Sequence, residues 1–263
     1  MSLSKDHLVE LKHAKTLLEK TSFVIKATNT LGAPIEKGMS YLPKGAQNLI
    51  AKATQASLDK SLEWVSKTLD DAPAKASPRL HTAAAALSGA IGGAFGISAL
   101  AIELPLSTSL MMRSIADIAR ENGETISSVE TRLQCLSVFS LGGHSANADA
   151  AESGYYAVRA SLAGLVSDAA LHLGGRKASA SMVEKIPALA SLVGRIATRF
   201  NIQVSEKAMA QLVPLIGAAG GAAVNTLFIQ HFQDVSRGHF TVRRLERKYG
   251  VDAVQQAYLG ITL

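Results

Sequence analysis

A single cysteine, Cys135, is present among the 263 residues. That excludes an internal disulfide framework and a cysteine-based zinc site. Cys135 lies in the apolar run from Leu133 to Leu141, which predicts a buried, inert thiol. Aromatic residues are scarce at 5%, and charged residues make up only 18% against 48% hydrophobic ones. No segment alternates polar and apolar residues in the manner of a strand. The start, Met-Ser-Leu-Ser-Lys-Asp-His, reaches charge at once, so no secretory signal is expected and the expected place is the cytoplasm. Phosphate-loop, nucleophile-elbow and HExxH patterns are missing, so no nucleotide cofactor is expected. The excess charge of +6 comes without helix-turn-helix, zinc or base-stacking patterns, and nucleic acid is not an expected partner.

What the chain does have is helical periodicity. Leu8, Leu11, Lys15 and Leu18 space an amphipathic helix over about residues 4–28. Pro34 and Pro43 interrupt the chain, and a second helix is expected over 46–69. The stretch 70–78, DDAPAKASP, reads as a linker. Two long uncharged Gly/Ala-rich runs follow, Leu80 to Ile102 and Ala208 to Gln233. They contain glycines four apart (Gly89 and Gly93, Gly92 and Gly96, Gly217 and Gly221), a spacing that lets a second helix approach closely. Both runs are long enough to span a bilayer. Only seven of the 23 residues in the first are large and apolar, and no aromatic belt flanks either. We therefore expect packed core helices, with conditional membrane entry by a hairpin and a constitutive integral protein as the alternatives.

Pro105 is expected to end, kink or restart its helix. Ser127 with Glu130 fits a capping box opening a helix over 128–141, which Gly142 and Gly143 end. Further helices are expected over 148–173, 182–200, 205–213 with Ser205 as N-cap, 214–236, 242–248 and 253–259. The fold class is all-α: a single multi-helix domain with two central Gly/Ala-rich helices. Its N-terminal helices and linker occupy 1–78 and its helical core 79–263.

The wording of several segments resembles the EcsC protein family of bacteria. The likeness lies in GAIGGAFGISALAIELPLSTSLMMRSIADIARENGE (89–124), TRLQCLSVFSLGG (131–143), ESGYYAVR (152–159) and the stretch from Arg199 to Gly250. It runs from about residue 40 to 258. The family is named after a gene beside an ATP-binding-cassette exporter. The resemblance implies a predominantly helical protein and transfers no catalytic residue.

Four groups of residues carry candidate chemistry. Asp149, Glu152, Tyr156 and Arg159, with Tyr155 beside them, would line one face of a helix over 148–173. They would bind a cation or polar head group, or else form a packing network with Glu152 paired to Arg159 or Arg113. Glu103 ends an uncharged stretch and must be solvated, paired or metal-bound; Arg113 is its expected partner, and Lys207 is expected in solvent. His144, Asp149, Glu152, His231 and Asp234 are residue types that suit zinc, iron or manganese. Arg237, Arg243, Arg244, Arg247 and Lys248 concentrate positive charge near the C-terminus, suited to an anionic leaflet. The leading expectation is a non-enzymatic, membrane-associated accessory protein that binds lipid or an apolar ligand, peripheral at the inner face of the cell membrane. Its partner would be an anionic membrane surface or a membrane protein. The alternatives are a metal-dependent hydrolase with a His/carboxylate site and a self-associating helical protein.

Overall fold

Residues 3–19, 27, 44–65, 100–142, 154–174, 180–211 and 217–263 are described by a computed structural model. The longest element sets the arrangement. Helix α8, Gly217–Tyr249, runs for 33 residues, about 50 Å at 1.5 Å per residue. Val224, Phe228, Phe232, Val235 and Val242 recur along it at three-, four- and seven-residue spacings and are all buried, the pattern of a stripe packed on a core. The separate helices expected over 214–236 and 242–248 are one. Gly238 lies within it because another helix crosses there. A Cβ at Gly238 would stand 2.7 Å from Leu18 Cγ and 2.9 Å from the Ala14 carbonyl oxygen. The crossing partner is α1, Lys5–Glu19.

Helix α2, Lys44–Val65, packs on α3, Leu100–Glu121. Helix α3 runs through Pro105 instead of ending there. Its flanks Glu103, Leu104, Ser107 and Thr108 are buried, and packing against α2 and α8 holds the turn that the proline weakens. Helix α4, Val129–Ser137, continues into a 3-10 turn, Val138–Ser140. Its N-cap is Ser128, one residue past the expected Ser127, and the Ser128 side chain makes no capping bond. Gly142 follows with φ of 72° and sits against Val235.

Helix α5, Tyr155–Leu173, ends at Gly174 in the left-handed conformation. After a short α6, Ala180–Val183, comes α7, Pro187–Gln211, which packs on α5 and α2. The expected break near 200–205 is absent. Ser205 is no cap: its hydroxyl donates back to the Asn201 carbonyl at 2.8 Å inside the helix. Helix α9, Val251–Gly260, closes the chain. Lys15 of α1 donates to the Tyr258 and Ile261 carbonyls at 3.0 and 2.8 Å, compensating the negative end of α9.

The result is all-α, with no strand among the described residues. The few aromatics are concentrated: Phe139, Phe200, Phe228 and Phe232 meet with ring centroids 4.9 to 6.3 Å apart. They join the 3-10 turn, α7 and α8 at the centre. Of the first Gly/Ala run only residues 100–102 are described, so its crossing with the second lies outside the described residues. No helix among the described residues is long and apolar enough to cross a membrane.

Candidate functional site

The expected carboxylate–tyrosine–arginine face does not form as one helix. Gly154 is extended (φ −60°, ψ 147°) and α5 opens only at Tyr155. The helical register that would align Asp149 and Glu152 with Tyr156 and Arg159 is therefore interrupted. Asp149, Glu152 and His144 lie outside the described residues. Tyr155, Tyr156 and Arg159, in contrast, are brought together against α8.

Their partners are His239 and Glu246, seven residues apart and so two turns along the same side of α8. Arg159 meets Glu246 in a fork: Nη1 to Oε1 and Nη2 to Oε2, each 2.6 Å. The Tyr156 hydroxyl donates to Glu246 Oε1 at 3.1 Å. Such bidentate pairs fix geometry as well as charge. Burial works against ionisation of Arg159, but the facing tyrosines and Glu246 outweigh it and raise its pKa. Desolvation, reinforced by the Glu246 charge, raises Tyr156 as well. Both tyrosines stay neutral.

Tyr155 links this fork to His239. Arg159 Nη1 points at the Tyr155 oxygen from 3.4 Å, and that hydroxyl lies 2.9 Å from His239 Nδ1. Burial pushes Tyr155 up to about 12, so it keeps its proton and has one to give. The arrangement assigns the tautomer: Tyr155 donates, Nδ1 accepts, and Nε2 of His239 carries the hydrogen. Burial, with the charges of Arg159 and Arg243, holds His239 well below the usual histidine range. The ring is neutral and 1% exposed, and its Nε2 has no hydrogen-bond partner. A buried donor left unmade is costly.

His239 lines a pocket of about 170 Å³ between α4, α5 and α8. Arg159 and Arg243 line it too, with Leu162 and Val166 on its apolar part. Arg243 is braced from behind: its Nε and Nη2 donate to Glu124 at 2.8 and 3.2 Å, and Arg247 donates to the same carboxylate. Burial raises the Glu124 carboxyl, but the hydrogen bonds and charges of both arginines outweigh it and hold the group below its ordinary value. The pocket therefore combines the side chains of Arg159, Arg243 and the neutral His239 with an apolar side, and Glu130, Gln134 and Ser137 line its α4 wall.

The C-terminal cations are thus largely tied to the protein itself. Besides Arg243 and Arg247 on Glu124, Arg244 pairs with Glu10 at 2.7 Å and Arg237 with Asp234 at 2.9 Å. Lys248 lies over the Tyr249 ring. His231 is buried on α8 edge-on to Phe232, while Asp234 is engaged by Arg237. Among the described residues no group of three or more His, Cys, Asp or Glu is placed to hold a metal ion. Cys135 is buried, and desolvation raises its thiol well above the usual range.

Glu103 does not pair with Arg113, which is exposed. Its carboxylate instead accepts two bonds from Lys207, and Lys207 is fully buried and not in solvent. Because α7 continues unbroken past residue 205, Lys207 is carried into the core beneath α3. Glu124, Glu246, His239 and Lys207 are the residues that sequence reasoning missed as site members. Glu246 alone carried a signal, as the lone acid among five cations.

The model of the EcsC protein family matches residues 12–245 of the chain. No curated protein and no solved structure matches it.

Proposed function

The chain belongs to the EcsC protein family, and we propose that it is a non-enzymatic accessory protein that binds a small anionic group in the His239 pocket. The observation that carries this is the Nε2 of His239, which has no hydrogen-bond partner among the described residues although its ring is fixed by Tyr155 and shares the pocket wall with Arg159 and Arg243. Binding is favoured over turnover because a histidine used for acid–base work needs a pKa near the working pH, and this one is held far below it. The ligand is small: about 170 Å³ admits a phosphate or a short carboxylate with a few apolar atoms. Leu162 and Val166 are placed to receive such atoms.

In the same proposal the accessory role is exercised beside an anionic membrane, with contact at the surface only. The formal charge of +6 and the exposed Arg113, Arg195 and Lys248 support it. Sedimentation with phosphatidylglycerol vesicles that weakens steeply with salt is the expected result. Sedimentation insensitive to salt would remove this part.

The pocket is tested by following the histidine ring nitrogens by NMR during titration with phosphate, acetate and butyrate. A saturable shift of His239 Nε2 with one of these, absent in His239→Gln, is expected. A signal unmoved by all three would overturn the reading.

A further inference from the structure

A second groove, adjoining the first, lies between α5 and α7. It has a volume of about 480 Å³ and is lined from α5 by Val158 and Ser161 and from α7 by Arg195, Thr198 and Arg199. Leu162 borders both cavities. What distinguishes this groove is its charge. Arg195 and Arg199 stand one helical turn apart, a like-charge spacing that disfavours the helix.

Every other half-buried arginine among the described residues has a partner. Arg159 has Glu246, Arg243 has Glu124, Arg244 has Glu10, Arg237 has Asp234, Arg120 has Asp117, and Arg132 donates to the Ile126 and Ser127 carbonyls. Arg199 has no ion pair or hydrogen bond among the described residues, and burial alone acts on it, lowering its pKa. A cation taken partly out of water with nothing facing it is unfavourable. A bound anion would remove that penalty.

The neighbouring hydroxyls narrow the ligand further. Ser161 already donates to the Val158 carbonyl at 2.7 Å, and Thr198 to the Gly194 carbonyl at 3.0 Å. Both therefore offer the groove lone pairs, not hydrogens. A ligand that fits places its negative oxygens on the two guanidinium groups and its own hydroxyls on Ser161 and Thr198. Guanidinium forks match phosphate oxygens in pairs. We infer that the α5–α7 groove, built around the unpaired Arg195 and Arg199, binds the phosphate ester of a polyol, either as a soluble metabolite or as the head group of a glycerophospholipid.

This inference does not depend on the His239 pocket, whose ring signals report separately. The test is isothermal titration of the full chain with glycerol 3-phosphate, alongside flotation with phosphatidylglycerol and phosphatidylcholine vesicles, repeated for Arg199→Gln. Saturable binding of glycerol 3-phosphate or selective flotation with phosphatidylglycerol, weakened at least tenfold in the variant, is expected. Binding of the soluble ester identifies a metabolite site; flotation without it identifies the lipid head group. Arg199→Gln should fold and melt no lower than the parent, since it removes an unpaired charge. No binding of any probe, or binding equal in parent and variant, would overturn the inference.

Discussion

Lys207 Nζ donates to both carboxylate oxygens of Glu103, at 2.9 and 2.8 Å, with the two side chains 0% and 4% exposed. The ammonium also lies 4.9 Å from the centre of the Phe228 ring. Burial pushes the Lys207 pKa down, and Glu103 opposes that. Breaking such a pair from one side strands a buried charge at a cost of roughly 3–5 kcal/mol. Glu103→Leu and Lys207→Met should each be strongly destabilising. The double variant Glu103→Leu with Lys207→Met should regain most of the loss, because a packed apolar pair carries no desolvation penalty. Urea denaturation of the four proteins checks this. Additive losses in the double variant would mean that the pair acts only through packing.

The helical character of the chain was legible because periodic apolar residues at helical spacing are local information. The boundaries near 205 and 240 were not. Ser205 has the side chain of a good N-cap, yet its hydroxyl is equally able to bond back within a helix. Gly238 looks like a stop and is instead a crossing point. The pairing of Glu103 shows the same limit. Arg113 was close in sequence, but the α7 register, a tertiary fact, placed Lys207 there. Tyr155, Tyr156 and Arg159 could be picked out by their spacing. Their partners on α8 lie more than 80 residues away, and nothing local announces them.

Gly238→Ala tests the α1–α8 crossing. Alanine favours a helix by about 1 kcal/mol over glycine. Here the new methyl group would meet the Ala14 carbonyl oxygen at 2.9 Å as well as Leu18, and backbone cannot swing aside as a side-chain tip can. Overpacking of this kind costs about 1–3 kcal/mol. A net loss of stability is expected, with Leu18→Ala restoring part of it in the double variant. A stabilised Gly238→Ala would show that the helices are free to separate.

Glu124 anchors both Arg243 and Arg247, but unequally. Arg243 is 16% exposed and Arg247 42%. Arg243→Met should cost about 1–3 kcal/mol, because it removes the more buried of two partners and Glu124 keeps only the exposed Arg247. Arg247→Met should cost no more than about 1 kcal/mol. The Glu124 carboxyl is depressed in the folded protein, so its stabilising contribution is complete above the unfolded value near 4.3. It is lost as pH falls through the lower folded value. Glu124→Gln should therefore flatten the acid limb of stability below about pH 4, as read by urea midpoints across pH.

His239 makes the opposite end of the acid response testable. Its pKa is held well below the ordinary value by burial and by Arg159 and Arg243. Above about pH 6.5 the ring is neutral whether the chain is folded or not, and pH has no hold on stability through it. Below that, the unfolded chain takes up a proton that the folded site refuses. Stability then falls by up to about 1.4 kcal/mol for each pH unit until the folded pKa is reached. Glutamine at 239 can keep a hydrogen bond to Tyr155 but cannot titrate. His239→Gln should start from an equal or lower stability at neutral pH and lose less between about pH 6.5 and 5. An anion bound beside the ring would raise its pKa, so a pocket ligand at saturation should reduce the parent's fall and leave the variant unchanged. If parent and variant trace parallel curves with and without ligand, His239 is not the group that links this pocket to the acid response.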